Sequence, residues 1–252
     1  MNIFEDLILV YKKTSKETFN NISKNPVFLL VPIFFGALYQ LVVNLFSIYI
    51  GPMLGVLAGF LTPIIFSMIL SSYFSLCSDL IFYNRLNFSN FTKRFTEYAN
   101  SVYSVYFILI LISWISPILG NSFAMNFLIS ILLTALFNPI AEEIYIGNQV
   151  YTSAYIKSLE FLKENAILWF PPFIIYMLIL KLLGFTISTT LLMSNIIDIP
   201  LGNFNMSPLM GTNNIKSLLA LIITGVYAIF RGNLFRILNN SSRRKRTYMG
   251  DL

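Results

Sequence analysis

The chain has 252 residues, 56% of them hydrophobic and only 11% charged, with 17 Lys and Arg against 11 Asp and Glu. Soluble domains carry about 25% charged residues, so this composition excludes an ordinary soluble globule; the basic excess sits in short segments and reads as topology and lipid contact, not nucleic-acid binding. One cysteine, Cys77, excludes an intramolecular disulfide, and the lack of any histidine excludes His-dependent triads, HExxH zinc sites and His proton relays.

Residues 1–25 have Phe4, Ile8, Tyr11, Ser15, Phe19 and Ile22 at spacings of three and four, with Lys12, Lys13, Lys16 and Glu17 largely on other faces. That pattern predicts an amphipathic helix lying on the membrane, apolar side down. Glu5 and Asp6 stand where a signal peptide would be basic, so none is expected. From Asn25 to Ser78 there is no charged residue over 54 positions, enough for two helices of roughly 20 residues each. These spans are expected at about 26–48 and 53–76, with Gly51-Pro52 as the turn. Gln40 and Asn44 on the first are expected to find partners within the bundle.

An aqueous segment at 79–100 follows, with a second amphipathic stripe of Phe88, Phe91, Phe95 and Tyr98. Spans at about 101–118 and 123–141 occupy a second uncharged run, from Asn100 to Ala141, and turn at Pro117, Gly120 and Asn121. A third amphipathic stretch carries Tyr151, Ala154 or Tyr155, Ser158 and Leu162 on one side. Spans at about 166–186 and 216–237 follow. They are separated by a loop with a short interfacial helix expected at Thr189–Ile197, and a basic tail covers 239–252. The expected fold is therefore an all-α integral membrane protein: one domain with six transmembrane helices as three hairpins, each preceded by an amphipathic interfacial helix. The segments 1–25, 79–100, 144–165 and the tail hold nearly all the Lys and Arg beside the spans, which predicts both termini in the cytoplasm.

The three units also match in detail. A shift of 63 sets Asp79 on Glu142, Ile81 on Ile144, Arg94 on Lys157 and Glu97 on Glu160; a shift of 140 sets Tyr11 on Tyr151, Asn25 on Asn165 and Pro32 on Pro172. The repeat, if real, runs parallel and not inverted. The junctions SKNPVFLLVPIFF (23–35) and SLEFLKENAILWFPPFIIY (158–176) lead an amphipathic helix through Lys-Asn or Glu-Asn into a span with an early proline. In this the chain resembles the membrane domain attached to some glycerophosphoryl diester phosphodiesterases. The resemblance implies a membrane-embedded module; with no catalytic phosphodiesterase domain in the sequence, it does not imply that activity.

Several residues are candidate sites. Asp79, Glu142 and Glu143 stand where even-numbered spans reach the cytoplasm, as solvated helix ends, links to basic neighbours, or a cation or substrate vestibule. Asn138 with Pro139 predicts a kink whose freed backbone group the Asn re-satisfies. Lys181 is expected to snorkel to the outer surface and Arg231 to the inner one. Gly51, Gly55 and Gly59 form two GxxxG steps for packing in the bundle or a homodimer face. Arg243, Arg244, Lys245 and Arg246 suit anionic headgroups.

No GxSxG, Walker A or CxxC motif occurs, and EEIYIG at 142–147 lacks the histidines of an EExxxR intramembrane protease-like site. The expectation is a non-enzymatic envelope accessory or scaffold in a bacterial cytoplasmic membrane, with no cofactor or metal. Membrane lipids are its partners, a homo-oligomer is open, and nucleic acid is not expected. The alternative is the membrane subunit of a transporter such as an ABC exporter, which needs a separate ATPase subunit.

Overall fold

The computed structural model describes residues 3–55, 58–88, 91–119, 123–188, 192 and 212–241, and every regular element among them is helical. In chain order these are α1 (Ile3–Lys24), α2 (Val31–Leu45), α3 (Gly51–Leu54), α4 (Ala58–Tyr83), α5 (Phe91–Glu97), α6 (Ala99–Leu119), α7 (Phe123–Phe137), α8 (Ile140–Tyr145), α9 (Tyr151–Leu182) and α10 (Thr212–Asn240). A tight helical turn at Pro26–Leu30 leads into α2, and a wide π turn at Phe46–Ile50 joins α2 to α3. Five stretches among the described residues are long and apolar enough to cross a membrane: Pro26–Leu54, Leu61–Tyr83, Ala124–Tyr145, Tyr151–Leu182 and Ile215–Asn240. Ala99–Leu109, in α6, is a shorter apolar helix.

The bundle is built around α4, whose most apolar window is 78% buried, against 28% for Pro26–Leu54. Leu70, Tyr73, Leu76, Cys77, Leu80 and Ile81 of α4 make the main core with Phe28 and Phe35, Val102 and Val105, Ile140 and Ile144, and Ile229. Four serines of α4, at 67, 71, 72 and 75, are buried with them. Small side chains let neighbouring backbones come close; Ser71 accepts from the Tyr98 amide and donates to the Arg94 carbonyl across the α4–α5 contact. The close approach on α10 is made by Gly225 and Gly232. A Cβ at Gly225 would lie 2.7 Å from the Pro32 ring, and one at Gly232 would overlap Ile81 and come 2.9 Å from the Tyr145 hydroxyl.

α1 packs along α10, and its sides separate cleanly. Asp6, Val10, Thr14, Thr18 and Asn21 face the protein and are buried. Phe4, Ile8 and Phe19, at 72%, 65% and 76% exposure, lie on a second side. Lys16 and Asn20 occupy a third, also exposed, with exposed Lys12 at its border beside Phe19. At 3.6 residues per turn these are three distinct faces, so the predicted apolar stripe points mostly away from the bundle and a largely polar stripe points into it. Tyr11, at the edge of the stripe, donates to the Leu168 carbonyl at 2.8 Å; burial pushes its phenol up to about 12, so it stays a donor at physiological pH.

Several expected boundaries move. The first helical rod runs on through Gly51-Pro52 to Leu54 and ends at Gly55, which sits at φ +52. Proline is tolerated in the first turn of a helical segment, and the π turn just before it widens the rod where its ring would clash with the preceding turn. The third amphipathic stretch and the fifth span are not separate elements but one helix, α9, with Pro171 and Pro172 inside it. Lys181 is exposed in the last turn of α9, which ends before Gly184 at φ +95. Gln40 and Asn44 do not reach into the bundle; they bond to each other at 3.4 Å on an exposed face. Among the described residues, Gly55 and Gly59 have nothing within 4 Å of a Cβ position, and Gly51 has only the Phe46 carbonyl of its own rod, so these glycines form no packing seam with them. The interfacial helix expected at Thr189–Ile197 lies outside the described residues apart from Leu192, whose carbonyl accepts from Thr134. The basic cluster Arg243–Arg246 lies outside them as well.

Candidate functional site

Apart from Lys181 and Lys216, the ionisable residues of the apolar helices gather at one end of the bundle, where α1, α5 and the first half of α9 pack on the ends of α4, α8 and α10. Three charged junctions form there. In the first, the Arg94 guanidinium on α5 donates to Asp79 at 2.6 Å and to the Ser75 hydroxyl at 2.6 Å, while Ser75 donates to Glu97. Beside it Tyr98 donates to Ser78, and burial holds its phenol above the usual range. Asp79 retains 20% side-chain exposure, so water reaches this pair.

The second junction ties α1 to α10. Arg236 pairs with Glu17 at 2.7 Å and donates to the Ile81 carbonyl; Asn233, fully buried, donates to Asn21 at 2.8 Å and Thr18 at 3.3 Å. Asn21 in turn donates to the Leu80 carbonyl and to Asn84, and Asn25 holds the backbone of Asn84 and Leu86. Thus the chain's N-terminal helix, its second span and its last helix meet through side-chain amides.

The third junction is the most enclosed. The kink predicted at Asn138-Pro139 is present as a turn between α7 and α8. It leaves the Asn138 carbonyl facing α10, where Arg231 donates to it at 2.6 Å and to Glu142 at 2.7 Å. Arg231 thus satisfies the Asn138 carbonyl, and the Asn138 side chain does not serve the backbone but accepts from the Trp169 indole at 2.8 Å. The guanidinium also lies over the Trp169 and Tyr227 rings, 5.3 and 5.6 Å from their centroids, where the ring faces attract a cation. Arg231 therefore does not snorkel to the surface, and Glu142 and Glu143 are not solvated helix ends: the two glutamates retain 3% and 4% exposure. Desolvating a charge is costly, and only a buried opposite charge with further hydrogen bonds offsets it; Arg231 supplies this to Glu142.

Glu143 follows directly on the helix and points elsewhere. Its carboxylate folds back over Gly147, where a Cβ would come within 2.6 Å of Oε2 and 2.8 Å of the Glu143 carbonyl. Only glycine fits under it. Glu143 and Gly147 line a cavity of about 340 Å³, whose other walls include Lys157, Glu160 and Glu164 of α9 and Asn239 of α10. Lys157 is paired with Glu160 at 2.8 Å. Among the described residues, no group of three acidic, cysteine or histidine side chains is disposed to hold a metal ion.

Of the predicted site residues, the fold brings Asn138, Glu142 and Arg231 into one cluster, sets Glu143 beside it, and keeps Asp79 with Arg94 and Lys181 at separate places. Trp169, Tyr227, Gly147, Asn233 and Arg236 were not foreseen. The polar triplet Arg231-Gly232-Asn233 inside an apolar stretch is the one local signal that could have pointed to a buried network. No family model, no curated protein and no solved structure matches this chain.

Proposed function

We propose that the chain is a six-span protein of the cytoplasmic membrane, both termini inside, that works as a non-enzymatic accessory or scaffold with its surface helices seated in the inner leaflet. The observation that carries this is the three-sided α1: a polar face docked on α10, an exposed apolar face of Phe4, Ile8 and Phe19, and an exposed polar face of Lys16 and Asn20, with Lys12 at the border of the last two. A helix at the rim of a bundle needs such a division when it meets protein, lipid and water at once. The sixth span is α6: its 21 residues extend about 32 Å at 1.5 Å per residue, close to the roughly 30 Å hydrocarbon core. The three-hairpin order follows, and it keeps the link to the membrane domain of glycerophosphoryl diester phosphodiesterases as a proposal about architecture.

The test uses spin labels at single cysteines in a Cys77→Ser background, with the protein in nanodiscs containing anionic lipid. Labels at Ile8 and Phe19 are expected to be accessible to oxygen and shielded from a water-soluble nickel complex, with the reverse at Lys16. Equal accessibility at Ile8 and Lys16 ends the leaflet reading. A cysteine at Ser242 is expected to react only after permeabilisation; reaction from outside intact cells breaks the six-span count.

One observation favours the alternative, a transporter subunit. α5 is pinned to α4 through Arg94 while Thr92, Lys93 and Thr96 stay exposed, an arrangement suited to a coupling helix that a separate ATPase would grip. Recovery of a P-loop ATPase on co-purification supports it; purification as a monomer or homo-oligomer alone counts against it.

A further inference from the structure

We propose that the cavity beneath Glu143 is a binding site for an organic cation carrying an ammonium or guanidinium group. Its size, about 340 Å³, falls within the range of small-ligand pockets. Two of its carboxylates make no hydrogen bond or close ion pair among the described residues, although Lys157 in the same wall attracts Glu143 at longer range. Glu143 is 4% exposed, yet its carboxylate takes part in no hydrogen bond or ion pair among the described residues. Glu164, an exposed wall residue, has no ion pair among them either. The third acid, Glu160, is satisfied by Lys157. Glu142 cannot share its cation with Glu143, because Arg231 is engaged with Glu142, the Asn138 carbonyl and two aromatic rings.

A carboxylate on so enclosed a residue is normally paired or hydrogen-bonded; the Glu143 oxygens are not sealed off but open onto the cavity, where solvent or a ligand meets them. The open side of Glu143 is the cavity, and the missing side chain at Gly147 leaves its oxygen uncovered. A ligand that displaces solvent there must donate hydrogen bonds, and positive charge strengthens its hold on the carboxylate. A bare metal ion is disfavoured, since no three-ligand cluster exists among the described residues. Ammonium and guanidinium groups meet both needs with three to five N–H donors.

Two sources share that chemistry. One is a free amine from solution. The other is the chain itself: α10 lines the cavity at Leu238 and Asn239, and the sequence continues within a few residues to Arg243, Arg244, Lys245 and Arg246.

Isothermal titration of the purified full chain with agmatine, which carries both head groups, tests the site in low salt, with glycerol as a neutral control. Saturable agmatine binding is expected, weakened about 10- to 100-fold in Glu143→Gln as one charged hydrogen bond is lost, and by less in Glu164→Gln. Binding unchanged in a variant with all four tail residues replaced by Gln identifies a free amine as the ligand. Binding that appears or tightens only in that variant, and is lost again on adding Glu143→Gln, identifies the tail. The proposal is overturned if neither the native chain nor the tail variant binds agmatine saturably, or if both glutamate variants bind as the native chain does. Should Glu143→Gln misfold, the exposed Glu164→Gln decides alone.

Discussion

A shift of 63 in the sequence sets Asp79 on Glu142 and Arg94 on Lys157, yet the fold uses the two pairs differently. At the first junction the acid and the base meet: Arg94 reaches back 15 residues to Asp79 and pins α5 to α4. At the second they do not. Glu142 is taken by Arg231 from a helix 89 residues away, and Lys157 turns outward to Glu160. The consequence lies in Glu143, which has no aligned acid in the first unit, where Leu80 stands. It is left facing a cavity whose one base among the described residues, Lys157, is paired with Glu160. One pattern thus closes a helix contact in one unit and leaves an opening in the other, and what separates them is whether a distant helix supplies a better partner.

The sharpest way to break this comparison is to remove Arg231. Arg231→Met leaves Glu142 buried and uncompensated, and a loss of about 3–5 kcal/mol in stability is expected by denaturation in detergent. The double variant Glu142→Met with Arg231→Met should recover most of that loss, because replacing both partners by apolar groups removes the desolvation penalty. If it is no better than the single variant, the pair is not coupled as described. Asp79→Asn, at the half-wet junction, should cost less, about 1.5–3 kcal/mol, since a charge-assisted bond is lost where water can enter. Gly232→Ala is expected to cost about 1–3 kcal/mol through overpacking, as buried Ile81 must yield; an unchanged melting temperature would mean that α10 can slide. Lys157→Ala should leave the melting temperature unshifted, in contrast to Arg94→Ala, because its pair with Glu160 lies in solvent. Equal effects of these two would restore the equivalence of the units.

Much of the architecture was legible in the sequence. The runs without charge at 25–78 and 100–141 place apolar helices wherever the chain folds, because no other structure hides that much backbone in lipid. The break at Asn138-Pro139 was legible for the same local reason. Turn and helix limits were less so. Gly51-Pro52 has the composition of a turn, but a proline near a helical N-terminus is also acceptable, and a π turn absorbed it. The charged face of residues 157–164 looked like a surface helix separate from the apolar residues after 166, although nothing in the backbone breaks between them. At the candidate site, each of Asn138, Glu142, Glu143 and Arg231 stood out as a polar residue near the end of a span. Their burial did not, because solvent exposure depends on which neighbours arrive.

By itself, then, the sequence determined that this chain is all-helical and apolar enough to cross a membrane several times, and which residues could not be indifferent to that environment. Composition and charge spacing suffice, since the cost of burying a charge or an unpaired backbone group in hydrocarbon is local. Only the tertiary structure decided which charges are paired. Coulomb attraction and desolvation both depend on distances between atoms tens of residues apart, and no local pattern tells that Arg231 faces Glu142 or that Glu143 faces a cavity.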